Sequence, residues 1–296
     1  MLRLALFVAC LAVGPGAGIA GAGQSEPPVP PGRDPGGVAV ALIDSGVNYT
    51  LTHITKRLAR DARGKLIGFD FADGDTRPYD IVPGRNGAID LHHGTSVASI
   101  LLREAPAARL VPYRFHPKDY RSFASIVTHI AAGPARIAVM ALGGYKEKNW
   151  QAFKQAALAH RDILFVISAG NDGRNLDKKP IYPAGFGIAN AIVVASSDDF
   201  GRLPRDSNWG AQTVDVSTPG EQLVTRDHTG AIKRASGSSY AVPRIAALAA
   251  RLKAAHPGWD AQALKKAIIK FAGPSPGERV PRTRYGWIAN PALAGP

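Results

Sequence analysis

The sequence has almost no cysteine. Its 296 residues include one, Cys10, which lies in an amino-terminal segment, 1–22, with the features of an export signal. Once this segment is removed, the chain has no thiol, and the sequence excludes a disulfide, a thiol nucleophile and a thiolate metal site. The 45% of hydrophobic residues are enough for one large core without such cross-links.

Segment 1–22 has the composition of a signal peptide. Arg3 supplies a positive charge, residues 4–13 are apolar, and Ala20-Gly21-Ala22 offers the small residues that a signal peptidase needs, with cleavage after Ala22. The alternative is an uncleaved membrane anchor, because the apolar stretch is almost long enough to span a bilayer. Its glycines and proline weaken that alternative. We therefore expect a secreted protein, periplasmic or extracellular, with no membrane attachment after cleavage.

The chain also lacks the basic clusters of nucleic-acid-binding proteins. Its formal net charge is +13, but the basic residues are scattered, with only short pairs such as Lys178-Lys179. No recognition helix or aromatic stacking motif accompanies them. We expect no specific nucleic-acid partner.

Neither an internal repeat nor a second domain is visible in the sequence. Residues 23–37 are rich in Pro and Gly and predict an extended or disordered lead-in, so the folded domain is predicted over 38–296. Apolar runs typical of buried strands then alternate with segments of helical periodicity. The predicted strands are 38–43, 110–115, 137–142, 163–168 and 191–195, and the predicted helices are 93–102, 123–132, 150–160, 239–255 and 261–271.

Strands that are apolar on both faces and separated by helices are typical of parallel sheets. The order of elements predicts an α/β fold of three layers, with a mostly parallel sheet covered by helices on both faces. A single closed domain of this kind is expected to be a monomer.

Four polar residues are candidates for chemistry, and three of them, Asp44, Asn171 and Ser239, stand where such a sheet collects reactive groups, at the carboxyl ends of strands where loops lead into helices. Asp44 ends the first strand, His93 begins a helix, and Asn171 follows the 163–168 strand. Ser239 opens a helix, because Pro243 is tolerated only in a first helical turn and so places the helix start near Ser239. Taken singly, each has an ordinary explanation as a turn former, a cap or an exposed histidine.

Taken together and in order, the surrounding segments resemble the signature segments of the subtilisin-like serine proteases. They are Ala41-Leu42-Ile43-Asp44-Ser45-Gly46, His92-His93-Gly94-Thr95, Ser168-Ala169-Gly170-Asn171 and Ser236-Gly237-Ser238-Ser239. The chain order Asp, His, Ser is that of subtilisin. In the second segment, Gly94 is expected to permit the close approach of another backbone.

The resemblance covers nearly the whole mature chain and implies a role for each residue. Ser239 would attack the peptide carbonyl, His93 would take its proton and pass it to the leaving amine, and Asp44 would orient and stabilise the imidazole. Asn171 would donate its side-chain amide to the oxyanion, beside the main-chain N–H of Ser239. The resemblance implies that this chemistry needs no cofactor.

The segment Val139-Met140-Ala141-Leu142-Gly143-Gly144 resembles the family's substrate-binding strand. Ala141, Leu142 and Gly143 are therefore expected to pair with an extended peptide by strand addition. Ala141 stands where serine is common, and Val139 where asparagine is common. Main-chain pairing survives both changes, but the preferred substrate side chain does not follow from the sequence.

A loop between the Asp and His segments is acidic. Asp70, Asp73 and Asp75 place three carboxylates within six residues around a glycine, which suits Ca²⁺, and a similar loop binds calcium in some relatives. The sequence therefore indicates a structural calcium site. The alternative is a solvated acidic turn.

These observations predict a secreted serine endopeptidase that acts on polypeptides. One departure from the family argues against the prediction of an active peptidase. Residues 23–37 leave no room for the propeptide of several tens of residues that secreted members usually carry. The alternative is a catalytically silent, secreted peptide-binding protein on the same fold. That alternative predicts a damaged triad, whereas the triad residues are all present in the sequence.

Overall fold

The computed structural model describes residues 26–81, 92–116, 118–276 and 280–296. The predicted signal peptide, 1–22, lies outside the described residues. Within the described ranges, no helix is both long enough and apolar enough to cross a bilayer.

A seven-stranded sheet forms the centre of the domain, in the order β2-β3-β1-β4-β5-β6-β7, and all of its neighbouring strands pair in parallel. The predicted parallel sheet is confirmed. Its strands are β1 Val38–Asp44, β2 Phe69–Asp70, β3 Ala108–Arg114, β4 Ile137–Met140, β5 Leu164–Ser168, β6 Ala191–Ser197 and β7 Val216–Pro219. An antiparallel hairpin, β8 Leu223–Arg226 and β9 Ile232–Ala235, is separate from this sheet.

Helices cover both faces of the sheet, as predicted. Alternate strand residues belong to two apolar clusters, one with Leu42 and Val139 and one with Ile43 and Met140. The first packs against α2, α5 and α6, and the second packs against α3 and α4. The helices are α1 Thr52–Thr55, α2 His93–Glu104, α3 Ser122–Ala132, α4 Glu147–Ala159, α5 Ser238–Ala255 and α6 Ala261–Ile269.

The five predicted helices and five predicted strands are all present, but among the described residues four strands, one α-helix and a short 3₁₀-helix, Ala184–Phe186, were not predicted. β7 was not predicted because its Ser217 and Thr218 are polar, although both are fully buried. The strands β8 and β9 carry mostly solvent-exposed side chains, so no apolar pattern marks them. The elements α1 and β2 span only four and two residues.

The start of α5 is confirmed near Ser239, but the reason given for it needs correction. Pro243 lies inside the helix, at its sixth residue, rather than in its first turn. Because proline has no N–H, the helix has no intrahelical donor for the carbonyl four residues earlier, which is that of Ser239. The main chain at Ser239, in the first turn of α5, is therefore held by one hydrogen bond fewer than in a helix without proline.

The described part of the lead-in, residues 26–37, contains no helix before β1 and runs against the domain. Tyr49 donates its hydroxyl to the main-chain oxygen of Pro27 at 2.5 Å, and Arg60 donates to that of Pro30 at 2.6 Å. Asp34 accepts from the main-chain N–H of Arg60 at 2.7 Å. These contacts attach the lead-in to the part of the chain that follows β1.

Candidate active site

Asp44 and His93 form a hydrogen-bonded pair. Asp44 is the last residue of β1 and is 2% exposed, whereas His93 is the first residue of α2. The His93 Nδ1 atom lies 2.9 Å and 3.0 Å from the two carboxylate oxygens of Asp44. The bond fixes the imidazole orientation and, with the proton on Nδ1, leaves Nε2 as the basic atom.

Gly94 allows this pair to form. A Cβ atom at Gly94 would lie 2.1 Å from the main-chain oxygen of Gly46 and 3.0 Å from the Asp44 Cβ atom. The start of α2 and the turn after β1 can approach this closely only because residue 94 has no side chain. The close approach expected at Gly94 is confirmed.

The pKa of His93 is set by two opposing effects. Burial favours the neutral imidazole, but the adjacent Asp44 carboxylate favours the charged form by Coulombic attraction and hydrogen bonding, with a further contribution from Asp80. The carboxylates outweigh burial, so the pKa of His93 is raised. A more basic imidazole is better able to accept a proton from a neighbouring hydroxyl.

A second buried carboxylate holds the start of α2. Asp80 is 0% exposed, and its Oδ2 accepts hydrogen bonds from the main-chain N–H of Thr95, at 3.0 Å, and from the Thr95 hydroxyl. Its Oδ1 accepts from Ser45 Oγ at 2.7 Å, and Ser45 Oγ accepts in turn from the Gly94 N–H at 2.9 Å. Asp80 and Ser45 thus cap the helix that carries His93, a role that the sequence did not reveal.

Ser239 is the second residue of α5, and its neighbour Tyr240 packs against the imidazole, with 5.8 Å between the centroids of the Tyr240 and His93 rings. The Ser239 hydroxyl donates a hydrogen bond to the main-chain oxygen of Ala141 at 3.1 Å. The serine and the histidine therefore lie in the same region, but in this conformation the hydroxyl bonds to the segment after β4 and not to the imidazole.

Asn171 lies beside the start of α5. Its Oδ1 accepts from the main-chain N–H of Ser238 at 2.8 Å and from Ser238 Oγ at 2.9 Å. A Cβ atom at Gly237 would lie 3.0 Å from Asn171 Nδ2, so the glycine before the helix gives the amide room. With Oδ1 engaged, the Nδ2 group is the part of the side chain left to donate to a ligand.

Ser238 is a contributor that the sequence did not single out. It is fully buried, and its Oγ lies 2.7 Å from Ser168 Oγ and accepts from the Gly170 N–H at 3.1 Å. Ser238 therefore ties the first turn of α5 to the end of β5 and to Asn171. A serine beside another serine has no distinctive sequence signal, and its burial is visible only in the fold.

The predicted substrate-binding residues lie at the same edge of the sheet. Ala141, Leu142 and Gly143 directly follow β4, where Ala141 is buried, Leu142 half-buried and Gly143 exposed. The next residue, Gly144, exchanges two main-chain hydrogen bonds of 2.8 Å with Tyr182. A main-chain bridge to Tyr182 thus follows directly after the three predicted residues.

The acidic loop is arranged around arginines. Asp70 and Asp73 bond to the guanidinium of Arg114 at 2.8 Å and 2.6 Å, and Glu26 lies 3.2 Å from the same Nη1 atom. Asp75 instead pairs with Arg77 at 2.6 Å. The acidic group that could hold a metal ion is thus Glu26, Asp70 and Asp73, without Asp75.

The Arg114 guanidinium already compensates this acidic group. Its side chain is 6% exposed, and that of Asp70 is 0% exposed. A calcium ion among these carboxylates would have to displace Arg114 or be repelled by it. The residues therefore fit an ion pair better than calcium, and the calcium site stays a prediction.

Taken together, the observations show an α/β protein with a parallel sheet, in which a hydrogen-bonded pair, Asp44 and His93, lies in the same region as Ser239. The comparisons with known proteins agree with this arrangement and make the class specific. The sequence profile of the Subtilase family matches residues 36–287. The chain belongs to the subtilase family of serine peptidases.

Curated relatives are similar over most of this chain. It is 28% identical to thermitase of Thermoactinomyces vulgaris over 80% of its own length and 81% of that protein. It is 29% identical to the thermophilic serine proteinase of Bacillus sp. (strain AK1) and 30% identical to alkaline serine exoprotease A of Vibrio alginolyticus, over 73% and 72% of this chain. The matches span only 52% and 38% of those two proteins.

Solved structures share the fold. A cold-adapted subtilisin-like serine proteinase matches with a TM-score of 0.70 and 24% identity, over 87% of this chain and 90% of that one. A lanthipeptide protease matches with a TM-score of 0.69 and 22% identity, over 88% of each chain. These similarities confirm the predicted three-layer α/β architecture.

Proposed function

We propose that the chain is a secreted serine endopeptidase that cleaves polypeptides through Asp44, His93 and Ser239. The observation that carries the proposal is the bond from His93 Nδ1 to the buried Asp44 carboxylate, at 2.9 Å, on the sheet edge where α5 presents Ser239. Family membership supports the same reaction class.

The acylation step needs a proton acceptor for the serine. Ser239 Oγ attacks the carbonyl carbon of the scissile peptide bond, and its proton passes to His93 Nε2. In the absence of substrate the hydroxyl bonds to the Ala141 oxygen, so attack requires it to turn towards the imidazole by rotation about its Cα–Cβ bond. Catalytic hydrogen bonds are often misaligned until substrate binds.

The negative charge that develops on the substrate oxygen needs donors. Asn171 is the side chain assigned to this role, because its Oδ1 is held by Ser238 and its Nδ2 is available. The main-chain N–H of Ser239, at the second position of α5, is the other proposed donor, in a place where N–H groups have no intrahelical partner. His93 then protonates the leaving amine, and water hydrolyses the acyl-enzyme by the reverse sequence of proton transfers.

The segment Ala141, Leu142 and Gly143 is the proposed binding site for the peptide main chain. It lies next to the Ser239 hydroxyl through the Ala141 oxygen, so a peptide paired along it would pass the nucleophile. Secretion is proposed from the composition of segment 1–22, with Gly23 as the first residue of the mature chain.

The test is chemical labelling together with hydrolysis. Purified protein should react with a fluorophosphonate at Ser239 and cleave casein, and Ser239→Ala should do neither. Ser236→Ala is the matched control, because Ser236 precedes α5 and its Oγ bonds to the exposed Gln222. That variant should label and cleave like the wild type.

A wild-type protein that neither labels nor cleaves casein would refute the proposal. If such a protein still bound extended peptides, the silent peptide-binding alternative would replace it. For secretion, the amino-terminal sequence of the exported protein is decisive, because retention of residues 1–22 would contradict cleavage after Ala22.

A further inference from the structure

A space bounded by two glycines lies beside the candidate active site, between the segments that follow β4 and β5. The last paired residues of these two strands are Met140 and Ile167. Beyond them, Gly143 stands on one segment and Gly170 on the other, the first exposed and the second half-buried. Because neither residue has a side chain, main chain alone lines both sides. We refer to the space between Gly143 and Gly170 as the glycine slot.

The side chain of Ile181 occupies the base of the glycine slot. A Cβ atom at Gly170 would lie 2.7 Å from Ile181 Cδ1, and a Cβ atom at Gly143 would lie 3.6 Å from the same methyl group. One methyl group therefore stands next to both glycines. Ile181 is only 5% exposed and belongs to the apolar cluster that packs against α3 and α4, so its side chain is also packed from below.

Main-chain hydrogen bonds hold the sides and the base of the slot in place. The Gly170 oxygen accepts from the Asn208 N–H at 3.0 Å, and the Gly170 N–H donates to Ser238 Oγ at 3.1 Å. The Ile181 oxygen accepts from the Gly185 N–H at 2.7 Å. The main chain therefore sets the width of the slot, and the Ile181 side chain sets its depth.

The proposed reaction places one substrate side chain at this slot. Asn171, which directly follows Gly170, is the proposed donor to the oxygen of the attacked carbonyl, and the peptide main chain is proposed to pair along residues 141–143. The substrate residue that carries this carbonyl then lies between the two segments. Its side chain is attached one carbon away from the attacked carbonyl and is directed into the glycine slot. This step rests on the proposed function.

We propose that Ile181 closes the glycine slot and restricts cleavage to peptide bonds that follow small residues, with alanine preferred over leucine and phenylalanine. A single methyl group fits between two glycines without reaching the base. A longer side chain has to displace Ile181 Cδ1, which the closely packed interior resists. Since one methylene group in an apolar pocket changes kcat/KM by about 10–200-fold, the discrimination against leucine and phenylalanine should be at least about tenfold.

The experiment measures the cleavage preference of the mature chain in two ways. Casein is digested, and the residue before each cut is identified by mass spectrometry. In addition, kcat/KM is measured on peptide p-nitroanilides that differ only in having alanine, leucine or phenylalanine before the cleaved bond. The ratio of two kcat/KM values from one sample does not depend on the fraction of folded enzyme.

The test variants are Ile181→Ala and the milder Ile181→Val, which removes only the Cδ1 methyl group. The matched control is Ile188→Ala. Ile188 is also 5% exposed and belongs to the same apolar cluster, but it lies just before β6, at the amino edge of the sheet and away from the candidate site. A loss of packing without a change in the slot is therefore reproduced by the control.

The wild type should cut casein mainly after alanine and other small residues and should favour the alanine substrate at least about tenfold. Ile181→Ala should raise the leucine-to-alanine ratio of kcat/KM at least about tenfold. Ile181→Val should raise this ratio by less, and Ile188→Ala should leave it unchanged.

Equal cleavage of the three substrates by the wild type, or an unchanged ratio in both Ile181 variants, would overturn the inference and leave the proposed peptidase activity standing. A wild-type protein that leaves casein intact and does not react with a fluorophosphonate would refute the proposed function, and the inference with it.

Discussion

Replacing Gly94 with alanine tests how closely the helix carrying His93 must approach the strand carrying Asp44. The added Cβ would lie 2.1 Å from the Gly46 oxygen, more than 1 Å inside an ordinary carbon–oxygen contact, and 3.0 Å from the Asp44 Cβ atom. The oxygen belongs to the main chain and cannot rotate away, so α2 must move outward by about 1 Å. The bond of 2.9 Å between His93 and Asp44 would then lengthen or break.

The expected losses in folding stability and in kcat/KM follow from that displacement of α2. Overpacking of a filled site costs about 1–3 kcal/mol of folding stability, and a misplacement of about 1 Å at a catalytic group can cost about 100-fold in rate. We therefore expect Gly94→Ala to lose about 1–3 kcal/mol in urea unfolding and about two orders of magnitude in kcat/KM on a peptide substrate. The matched control is Gly258→Ala, where an added Cβ meets no atom within 4 Å. Wild-type kcat/KM in Gly94→Ala would refute the reasoning, because the proposed catalytic pair of His93 and Asp44 would then tolerate a displaced helix.

Three further predictions concern charged groups. Asp44→Asn should lower kcat by about 10⁴, as in a chymotrypsin-type triad. It should also move the acid limb of the pH profile of kcat/KM to lower pH, because the Asp44 carboxylate raises the pKa of His93 although burial lowers it. An acid limb that stays at the same pH would contradict this prediction. Burial, with the nearby Asp70 and Asp75, raises the pKa of Glu26 to about 7. The folded state therefore keeps a proton that the unfolded state loses near pH 4.5. The free energy of unfolding should fall as the pH rises between these two values. Glu26→Gln should flatten Tm against pH over that window, and an unchanged slope would exclude Glu26 as the cause. Arg114→Met leaves the buried Asp70 carboxylate unpaired and should cost about 3–5 kcal/mol in urea unfolding; a rise in the wild-type Tm with Ca²⁺, reversed by chelator, would instead support the predicted calcium site.

The sequence predicted the architecture well because the elements that build it have strong local patterns. β1 and β5 are apolar up to their last residues, Asp44 and Ser168, and α5 and α6 have helical periodicity, so the existence of these elements can be predicted without knowledge of distant contacts. β7 could not be predicted in this way. Of its buried Ser217 and Thr218, Thr218 is satisfied by a residue far along the chain, because its Oγ1 donates to the main-chain oxygen of Ile288 at 2.8 Å, whereas Ser217 Oγ has no hydrogen-bond partner among the described residues.

The same distinction applies to the candidate site. Asp44, His93, Asn171 and Ser239 were identified by the order of short motifs. Their immediate supports were not, because each support joins residues far apart in the chain. Ser238 and Ser168 are separated by 70 positions, and the acidic loop closes on Arg114 and Glu26 instead of forming a cluster from its own three aspartates. Side-chain pairing across the fold is the information that a single sequence does not carry.

Asp44 and Asp80 have different electrostatic effects at His93, since Asp44 bonds to the imidazole and Asp80 compensates the start of α2. The first turn of α2 carries partial positive charge from its unpaired N–H groups, which by itself would disfavour a proton on an imidazole at that position. Asp80 accepts from the Thr95 N–H in this turn and thereby compensates the helix end, and its charge adds to the raised pKa of His93. Asp44 is then free to bind the ring itself, with both oxygens within 3.0 Å of Nδ1. The Asp80 carboxylate is directed at main-chain N–H groups and makes no hydrogen bond to the imidazole, so it adds to the raised pKa of His93 by its charge alone, and Asp44 makes the larger contribution.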